Sequence, residues 1–417
     1  MTTTHAPGRT GRVGVTRPSP PSRTAPTAPR QAAFWLLALV LGVTMLGTTL
    51  PTPLYVIYQG RWHFSAATVT VTFAVYAAAV LMTLLLAGRS SDQAGRRPVM
   101  AVALAASSLS TVLFILAPGI GVLIVARVVS GLSAGLMTGT ATAALTELIS
   151  ASRRASLAAT AANMGGLGLG PLIAGLFAQY APHPTTLVFE VYLAVLAAAA
   201  LLLLLVPETV HPRTRPALRF AGLGIPERGR GEFIAAAVAV FAAFALLGLF
   251  SSLVPGFIGG VLHQGSHAVQ GAIVFGLFAA GTVTQVVLSR FSSRRVVLTG
   301  LGLLLAALGL IVAALAQSGM ALFLAGTAAG GVAVGAIFGG SLATANRLAP
   351  AGRRGQVISA FFVACYAGLI IPVVGVGVLA GFTGTFPAVV AFSVLLAVLC
   401  LFSIARIGRI AAPGDPS

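Results

Sequence analysis

Acidic residues are scarce in this chain of 417 residues, which has seven Asp and Glu against 25 Arg and no Lys. Charged residues make up only 8% of the sequence, whereas hydrophobic residues make up 57% and the mean hydropathy is +0.99. A soluble domain needs a polar surface that this composition does not supply. The Arg residues fall in short clusters between apolar runs and not on one basic face. These shortages exclude a soluble enzyme and a nucleic-acid-binding protein.

Cysteine is also rare, because Cys365 and Cys400 are the only two and each lies inside an apolar run. Their separation supports neither a disulfide framework nor a metal cluster. A chain without Lys has no phosphate-cradling loop followed by Lys, so the sequence excludes ATP-driven transport by this chain. The apolar runs hold no paired carboxylates and no cluster of His, Asp and Glu. We therefore expect no metal and no cofactor.

Apolar runs long enough to cross a bilayer dominate what remains. About 20 apolar residues are needed per crossing, so the chain has room for about a dozen spans and for no soluble domain of ordinary size. The predicted fold class is an all-α membrane protein with twelve transmembrane helices in two pseudo-symmetric six-helix bundles. The predicted spans are 33–55, 66–88, 98–117, 119–143, 156–180, 186–206, 233–258, 269–289, 296–316, 320–343, 357–380 and 385–406.

The spans and their connections predict five segments. Residues 1–31 are rich in Pro, Thr, Ser and Arg, so we expect a disordered cytoplasmic tail with no signal peptide before the first span. The other segments are an N-terminal six-helix bundle at 32–207, a cytoplasmic linker at 208–231, a C-terminal six-helix bundle at 232–410 and a cytoplasmic tail at 411–417. A shift of 200 positions aligns the two bundles, and it places Gly131, Gly135 and Gly139 on Gly331, Gly335 and Gly339.

The distribution of Arg predicts the orientation of the spans. Positive charge stays on the cytoplasmic side, and every Arg except Arg61 and Arg127 falls in a tail or connection on one side of the predicted bilayer. Both termini are therefore expected in the cytoplasm. Use of Arg without Lys is typical of a GC-rich bacterial genome, so the expected location is the bacterial plasma membrane, which is the cell inner membrane.

The short connection between spans two and three carries the first motif, Gly88-Arg-Ser-Ser-Asp92-Gln-Ala-Gly95-Arg96-Arg97. The Gly residues permit a tight turn, the carboxylate can cap a helix or pair with Arg, and the Arg pair suits the headgroup level. This run resembles the cytoplasmic signature G-x-x-x-D-x-x-G-R-R of the major facilitator superfamily.

The resemblance implies a cytoplasmic gate that stabilises the outward-facing state. In such a gate Asp92 would engage the start of span eleven near Arg354, with Glu147 as an additional ion-pair partner. The alternative for Glu147 is a surface pair with Arg153. The second half keeps the basic residues of the signature but neither its Asp nor its second Gly, so the implied gate is asymmetric.

Span four contains an arginine about seven residues from its predicted outer end, which is roughly 10 Å deep. A guanidinium at this depth is costly and should face the bundle interior, although snorkelling to the outer interface is an alternative. Arg127, Gly131 and Gly135 resemble the span-four signature R-x-x-x-G-x-x-x-G of the same superfamily. That resemblance implies that Arg127 takes part in proton coupling or binds the substrate.

Span five contains Gly166, Gly170, Pro171 and Gly175, which place small residues at four-residue spacing around a proline. Small residues let two helices approach closely, and the proline bends the helix. The run is similar to the antiporter signature G-x-x-x-G-P-x-x-G-G, with Ala174 in place of one Gly. The resemblance implies exchange of drugs for protons, and the alternative is a packing groove with no directional meaning.

Few other polar side chains lie on the spans. Glu190 is a candidate proton carrier near the start of span six, because an isolated acid in apolar surroundings holds its proton more tightly. The alternative is an ordinary glutamate at the outer interface. The remaining cavity candidates are Thr48, Tyr76, Asn163, Gln285 and Tyr366.

The function predicted by these features is secondary active transport and not enzyme catalysis. The first hypothesis is an antiporter of the major facilitator superfamily that gives drug resistance through proton-coupled efflux of a small amphiphilic compound. Its partners would be that small molecule, protons and the lipid bilayer, and we expect a monomer. One alternative is an importer or facilitator of a small metabolite. The other, from a different class, is a polytopic membrane enzyme or a structural subunit.

Overall fold

The computed structural model describes residues 1–3, 28–87, 90–149, 152–210, 222–260, 265–288, 290–350 and 352–409. Most of the predicted N-terminal tail, the middle of the linker, the predicted C-terminal tail and Gly88 of the first motif therefore lie outside the described residues. The first helix already includes the last four residues of the predicted tail, because it begins at Ala28.

The described residues form fifteen α-helices and no strand, and twelve of the helices are long and apolar enough to cross a membrane. The predicted all-α fold with twelve spans is thereby confirmed. Three of the fifteen helices, α2, α4 and α10, are too short to be spans, and the other twelve are the candidate spans. The helices are α1 (Ala28–Thr49), α2 (Tyr55–Trp62), α3 (Ala66–Ala87), α4 (Ser90–Ala94), α5 (Arg96–Ile115), α6 (Ile120–Leu148), α7 (Ser152–Tyr180), α8 (Pro184–Leu204), α9 (Arg230–Ser252), α10 (Val254–Gly260), α11 (His267–Leu288), α12 (Ser293–Gln317), α13 (Met320–Leu348), α14 (Arg354–Thr383) and α15 (Thr385–Gly408).

The first and seventh spans are shorter than predicted, because each ends close to a proline. Helix α1 stops at Thr49 and not at position 55, since Pro51 and Pro53 cannot donate the backbone hydrogen bonds that would continue it. Helix α9 stops at Ser252, and Pro255 follows in the first turn of the short helix α10. A short helix thus follows the first span of each half, as the internal repeat requires.

The fourth and tenth spans end later than predicted. Helices α6 and α13 continue to Leu148 and Leu348, five residues beyond the predicted ends at 143 and 343. A helix satisfies its own backbone hydrogen bonds, so it need not stop where the hydrophobic stretch stops.

The interior consists of two clusters of buried apolar residues, one for each half of the chain. The first cluster is centred on α1 to α8, where Phe114 and Phe189 stack with ring centroids 4.8 Å apart. The second is centred on α9 to α15, where Phe250 and Phe323 stack at 5.9 Å. Many large apolar side chains outside these clusters are exposed, as expected for a surface that faces lipid tails.

The two halves meet along two helix pairs, α3 with α14 and α7 with α11. We call the end of the bundle that carries the linker the linker end, and the opposite end the distal end. At the distal end Gly377 packs on Thr70, and the amide of His267 donates to Oε1 of Gln179 at 3.0 Å. The ion pairs of the described residues lie at the linker end and none joins one bundle to the other. The contacts named here therefore join the two halves at the distal end.

Candidate functional site

Arg127 is the eighth residue of α6, and its side chain is buried in the N-terminal half with 1% of its surface exposed. Its Nη1 donates to the backbone oxygen of Thr48 at 2.5 Å. The guanidinium carbon lies 4.1 Å from the ring centroid of Tyr76 and 6.0 Å from that of Phe73. Such cation–π contacts stabilise a desolvated cation. The side chain therefore faces the bundle interior and does not snorkel to the outer boundary.

The two glycines that follow Arg127 bring α3 against α6. A methyl group on Gly131 would lie 2.5 Å from the backbone oxygen of Tyr76, and one on Gly135 would lie 2.6 Å from Cβ of Thr83. Only Gly allows the two helices to approach this closely. The two glycines of the span-four motif thus hold α3 close enough for the Tyr76 ring to lie over the guanidinium of Arg127.

The span-five motif packs on two different helices. Gly166 and Gly170 lie against the backbone of α1, where Gly42 and Leu46 leave no room for a side chain. Gly175, one turn beyond Pro171, lies against α11 in the other half. The motif therefore joins α1 to the distal contact between the halves.

The contact between α7 and α11 is a backbone-to-backbone contact. A methyl group on Gly175 would lie 2.5 Å from the backbone oxygen of His267 and 3.2 Å from Cα of Gly271. Gly271 in turn lies against the backbone oxygen of Pro171. We call the contact formed by Pro171, Gly175, His267 and Gly271 the distal seal.

Two of the five cavity candidates lie beside Arg127, and a third lies where the two halves meet. Thr48 accepts from the guanidinium through its backbone oxygen, and the Tyr76 ring lies over the guanidinium carbon. The hydroxyl of Thr48 donates to the backbone oxygen of Met45 at 2.7 Å. Tyr366 of α14 packs against the cores of both halves.

The other two cavity candidates have separate surroundings. Nδ2 of Asn163 lies 3.2 Å from Oγ1 of Thr138, which is 3.5 Å from the sulfur of Met45. Gln285 lies near the linker end of α11 with its Cγ 3.8 Å from where a methyl group on Gly339 would be, and its Nε2 is buried without a partner. Neither side chain is among the contacts described for the guanidinium.

Glu190 is the seventh residue of α8, and its side chain is exposed. Its neighbour Phe189 points into the core, whereas Val191 is 44% exposed. No ion pair to Glu190 occurs among the described residues. The structure therefore does not bring Glu190 together with Arg127.

The first motif forms a charged cluster at the linker end. Arg96 is only 7% exposed, and its guanidinium pairs with Asp92 at 2.6 Å and with Glu147 at 2.7 Å. It also donates to Oγ of Ser91 at 2.6 Å. All of these residues belong to the N-terminal half.

The expected contact between Asp92 and the start of span eleven is absent among the described residues. Asp92 pairs with Arg96, four positions along the chain, while Arg354 donates to Oδ1 of Asn346 at 2.8 Å. Glu147 pairs with Arg96, and the side chain of Arg153, its alternative partner, lies outside the described residues. The physical reason is proximity, because the turn at Gly95 carries Arg96 back beside Asp92.

Glu208 is a member of this cluster that the sequence reasoning missed. Its carboxylate accepts hydrogen bonds from the backbone amides of Arg96 at 2.8 Å and Arg97 at 2.9 Å. It therefore caps the N-terminus of α5, where unpaired amides and the helix dipole favour an anion. The carboxylate also accepts from the amides of Thr209 and Val210, at 3.0 and 3.1 Å. A carboxylate directly after a span was the available signal, but its partners in α5 are over a hundred positions away.

Comparison with known proteins decides the family. The sequence profile of the Major Facilitator Superfamily matches residues 37–373, which is most of the chain. The chain belongs to the Major Facilitator Superfamily. Members of this family are transporters and not enzymes, so the protein is a multi-pass membrane transporter.

Two bacterial relatives carry the same family designation. The chain is 29% identical over 185 residues to the uncharacterized MFS-type transporter YceJ of Bacillus subtilis, a match that covers 44% of this chain and 46% of the relative. It is 28% identical over 207 residues to the uncharacterized MFS-type transporter Rv1250 of Mycobacterium tuberculosis, which covers 48% of this chain and 34% of the relative. Each match thus spans less than half of the relative's length.

Solved structures of the family share the fold. A bacterial homolog of the human lysosomal transporter Spinster, inward-facing and unoccupied, matches with a TM-score of 0.74 at 16% identity over 93% of this chain and 100% of its own. The human organic anion transporter MFSD10 matches with a TM-score of 0.66 at 17% identity over 90% of this chain and 100% of its own. At these identities the likeness shows the fold alone.

The turn at Gly95 yields a stability prediction for this transporter. Gly95 has φ +98°, and a methyl group on it would lie 2.9 Å from Oε2 of Glu208. We expect Gly95→Ala to lower the free energy of unfolding by about 1–3 kcal/mol, because it adds backbone strain and displaces the capping carboxylate. Thermal unfolding of the purified protein in detergent measures this loss.

Gly352 is the matched control for that prediction. It also has a positive φ, +81°, but a methyl group on it would meet nothing within 4 Å. Gly352→Ala should therefore show the backbone strain alone. Equal losses for the two variants would contradict the role assigned to the contact between Gly95 and Glu208.

Proposed function

We propose that this transporter exports a small amphiphilic compound in exchange for protons by alternating access. The observation that carries the proposal is the distal seal, in which the antiporter-like motif of α7 meets the backbone of α11 without intervening side chains. A backbone-to-backbone contact leaves little room for water or ions. Rocking of the two halves about their interface would open this seal and close the linker end.

The orientation of the bundle follows from charge. The ion-paired arginines Arg96, Arg347 and Arg353 all lie at the linker end, which the positive-inside rule places in the cytoplasm together with both termini. The distal end then faces outward, and the conformation is inward-facing. Two structures of a bacterial homolog of Spinster, which match with TM-scores of 0.74 and 0.72, are described as inward-facing. The membrane would be the bacterial plasma membrane.

Proton movement in inverted membrane vesicles tests the proposal. A pH-sensitive dye would report proton release when lipophilic cations, neutral antibiotics or weak acids are added one at a time. We expect at least one compound to trigger release with the wild type and not with Arg127→Ala. The matched control is Arg61→Ala, which removes the exposed arginine of α2. A flat response across the panel from inserted, folded protein would contradict proton-coupled export.

A second candidate function is facilitated uptake of a small metabolite. The observation that favours it is the placement of the acids, because Asp92, Glu147 and Glu208 lie in the linker-end cluster and Glu190 is exposed. Under this candidate, transport follows the substrate gradient and continues after a protonophore collapses the proton gradient.

Glu190 allows a separate prediction about coupling. Its side chain is exposed and forms no ion pair among the described residues. We expect Glu190→Gln to leave the rate of export within about twofold of the wild type, as is usual for an exposed position. Export assays in inverted vesicles at two external pH values measure this. A loss of proton release with retained substrate binding would instead make Glu190 the proton carrier.

A further inference from the structure

The guanidinium of Arg127 has few partners for a buried charge. A guanidinium carries five N–H donors, and here one hydrogen bond is formed, from Nη1 to the backbone oxygen of Thr48. Its Nε is buried and has no hydrogen-bond partner among the described residues. Buried polar groups without partners are rare in folded proteins and call for an explanation. The contact with the Tyr76 ring stabilises the cation but accepts no conventional hydrogen bond.

A second buried donor lies in the same region. The hydroxyl of Tyr55, the first residue of the short helix α2, is buried with no hydrogen-bond partner among the described residues. Tyr55 follows closely after Thr48, whose backbone oxygen accepts from Arg127, and the charge of Arg127 acts on its hydroxyl. Two unsatisfied donors, one of them cationic, therefore occur together on the distal side of the N-terminal half.

The acids that could neutralise Arg127 are engaged or exposed elsewhere. Asp92 and Glu147 pair with Arg96, and Glu208 caps α5. At the linker end of the C-terminal half Glu227 and Glu232 pair with Arg353 and Arg347, respectively. Glu190 is exposed on α8. These are all the acids that the structure describes, so no described side chain supplies the counter-charge.

We infer that the transported compound is an organic anion whose acidic group binds at Arg127 and Tyr55. This inference rests on the proposed function and names the substrate class. An anion would neutralise the buried cation and accept from both unsatisfied donors, and charge-assisted hydrogen bonds of this kind are the strong ones. A cationic compound would face an uncompensated positive charge in a low-dielectric interior, where repulsion is screened poorly.

The tyrosines beside the site suit the apolar part of such a compound. Tyr76 of α3 and Tyr366 of α14 come from different halves, on the two helices of one inter-half pair, and Tyr366 packs against the cores of both halves. An aromatic ring of the substrate can pack on their faces while its acidic group is directed toward Arg127.

Equilibrium binding to the purified protein in detergent tests the inference with three probes that share one ring system. The probes are 1-naphthoate, which is anionic, 1-naphthamide, which is neutral, and 1-naphthylmethylammonium, which is cationic. We expect the wild type to bind the carboxylate at least about tenfold more tightly than the ammonium. Tighter binding of the ammonium, or no difference between the three probes, would overturn the inference.

Variants then assign the preference to the two donors. Arg127→Met should weaken binding of 1-naphthoate by about tenfold and leave that of 1-naphthamide within about twofold, whereas Arg127→Lys should retain the preference for the anion. Tyr55→Phe, which keeps the ring and loses only the hydroxyl, should weaken binding of 1-naphthoate by about threefold. The controls are Arg61→Met and Tyr58→Phe, the latter removing another buried, unpartnered hydroxyl of α2.

The outcomes separate this inference from the proposed function. Binding of the carboxylate that depends on Arg127 and Tyr55, with no proton-coupled export in vesicles, would support the inference and overturn export by proton exchange. Proton-coupled export of a cationic or neutral compound with no binding of 1-naphthoate would support export by proton exchange and overturn the inference. If Arg127→Met does not fold, the ranking of the three probes by the wild type and the Tyr55→Phe variant still test the inference. Equal affinities of Tyr55→Phe and Tyr58→Phe for 1-naphthoate would show that the Tyr55 hydroxyl does not bind the acidic group.

Discussion

Gly175→Ala should slow export by at least about fivefold, because it forces the distal seal apart. The added methyl group would lie 2.5 Å from the backbone oxygen of His267, and a backbone cannot move aside as a flexible side chain can. Overpacking of this kind costs about 1–3 kcal/mol, which shifts an equilibrium between two conformations by about 5- to 150-fold. The strain is present only when the distal end is closed, so the outward-open state gains population.

Thiol labelling measures this shift in population. Cys365 and Cys400 are both fully buried, so a cysteine added in place of Thr70 gives the main signal. Thr70 packs on Gly377 at the distal end and is buried in the closed conformation. We expect an impermeant maleimide to label Thr70→Cys faster from the distal side when Gly175→Ala is also present.

Gly165→Ala is the matched control for the distal seal. Gly165 lies in the same helix, and a methyl group on it would meet nothing within 4 Å. Both variants therefore gain the same helix propensity from the change of Gly to Ala. Similar labelling and similar export rates in the two variants would contradict the view that the contact at Gly175 closes the distal end.

Arg96→Met should lower the free energy of unfolding by about 2–4 kcal/mol, the second large effect that we expect. The substitution keeps a long apolar stem but leaves Asp92 and Glu147 beside each other without a cation. Breaking a buried ion pair by removing one partner is strongly destabilising, and partial exposure of the two acids reduces the loss here. Thermal unfolding of the purified protein in detergent measures it.

A double-mutant cycle with Glu147→Gln isolates the pair from other effects of the substitution. The guanidinium reaches Glu147 through both Nε and Nη2, at 3.3 and 2.7 Å, so we expect a coupling of about 1 kcal/mol or more. Arg97→Met is the control, because this neighbouring arginine forms no ion pair among the described residues. Additive losses in the cycle would show that the cluster contributes nothing through this pair.

The fold was predictable from composition because a bilayer restricts what a chain can do. Within hydrocarbon every backbone group must be paired inside the chain, so an apolar run of about 20 residues becomes a helix. The ends of the spans were less predictable. Pro51 ended α1 earlier than the hydrophobic run suggested, whereas α6 continued to Leu148 past its apolar part.

The candidate site was only partly predictable from the sequence. Arg127 was found because a charge inside a span is rare, and Gly131 and Gly135 were found by spacing. Tyr55 and Glu208 were missed, since a tyrosine next to a span and an acid after one are ordinary features of a membrane protein. Their importance arises from the charge of Arg127, which acts on Tyr55, and from the amide of Arg96, which donates to Glu208; both partners are distant in sequence.

The sequence by itself determined the number of spans, the two-half repeat and the family motifs, because these depend on the type and spacing of residues along one helix. The tertiary structure decided which partners the motif residues have. It paired Asp92 with Arg96 and not with the start of span eleven, and it placed Gly175 on the backbone of α11. It also left Arg127 buried with no acid beside it among the described residues. The reason is physical: a partner across a helix interface is set by how the helices pack, and spacing within one helix does not contain that information.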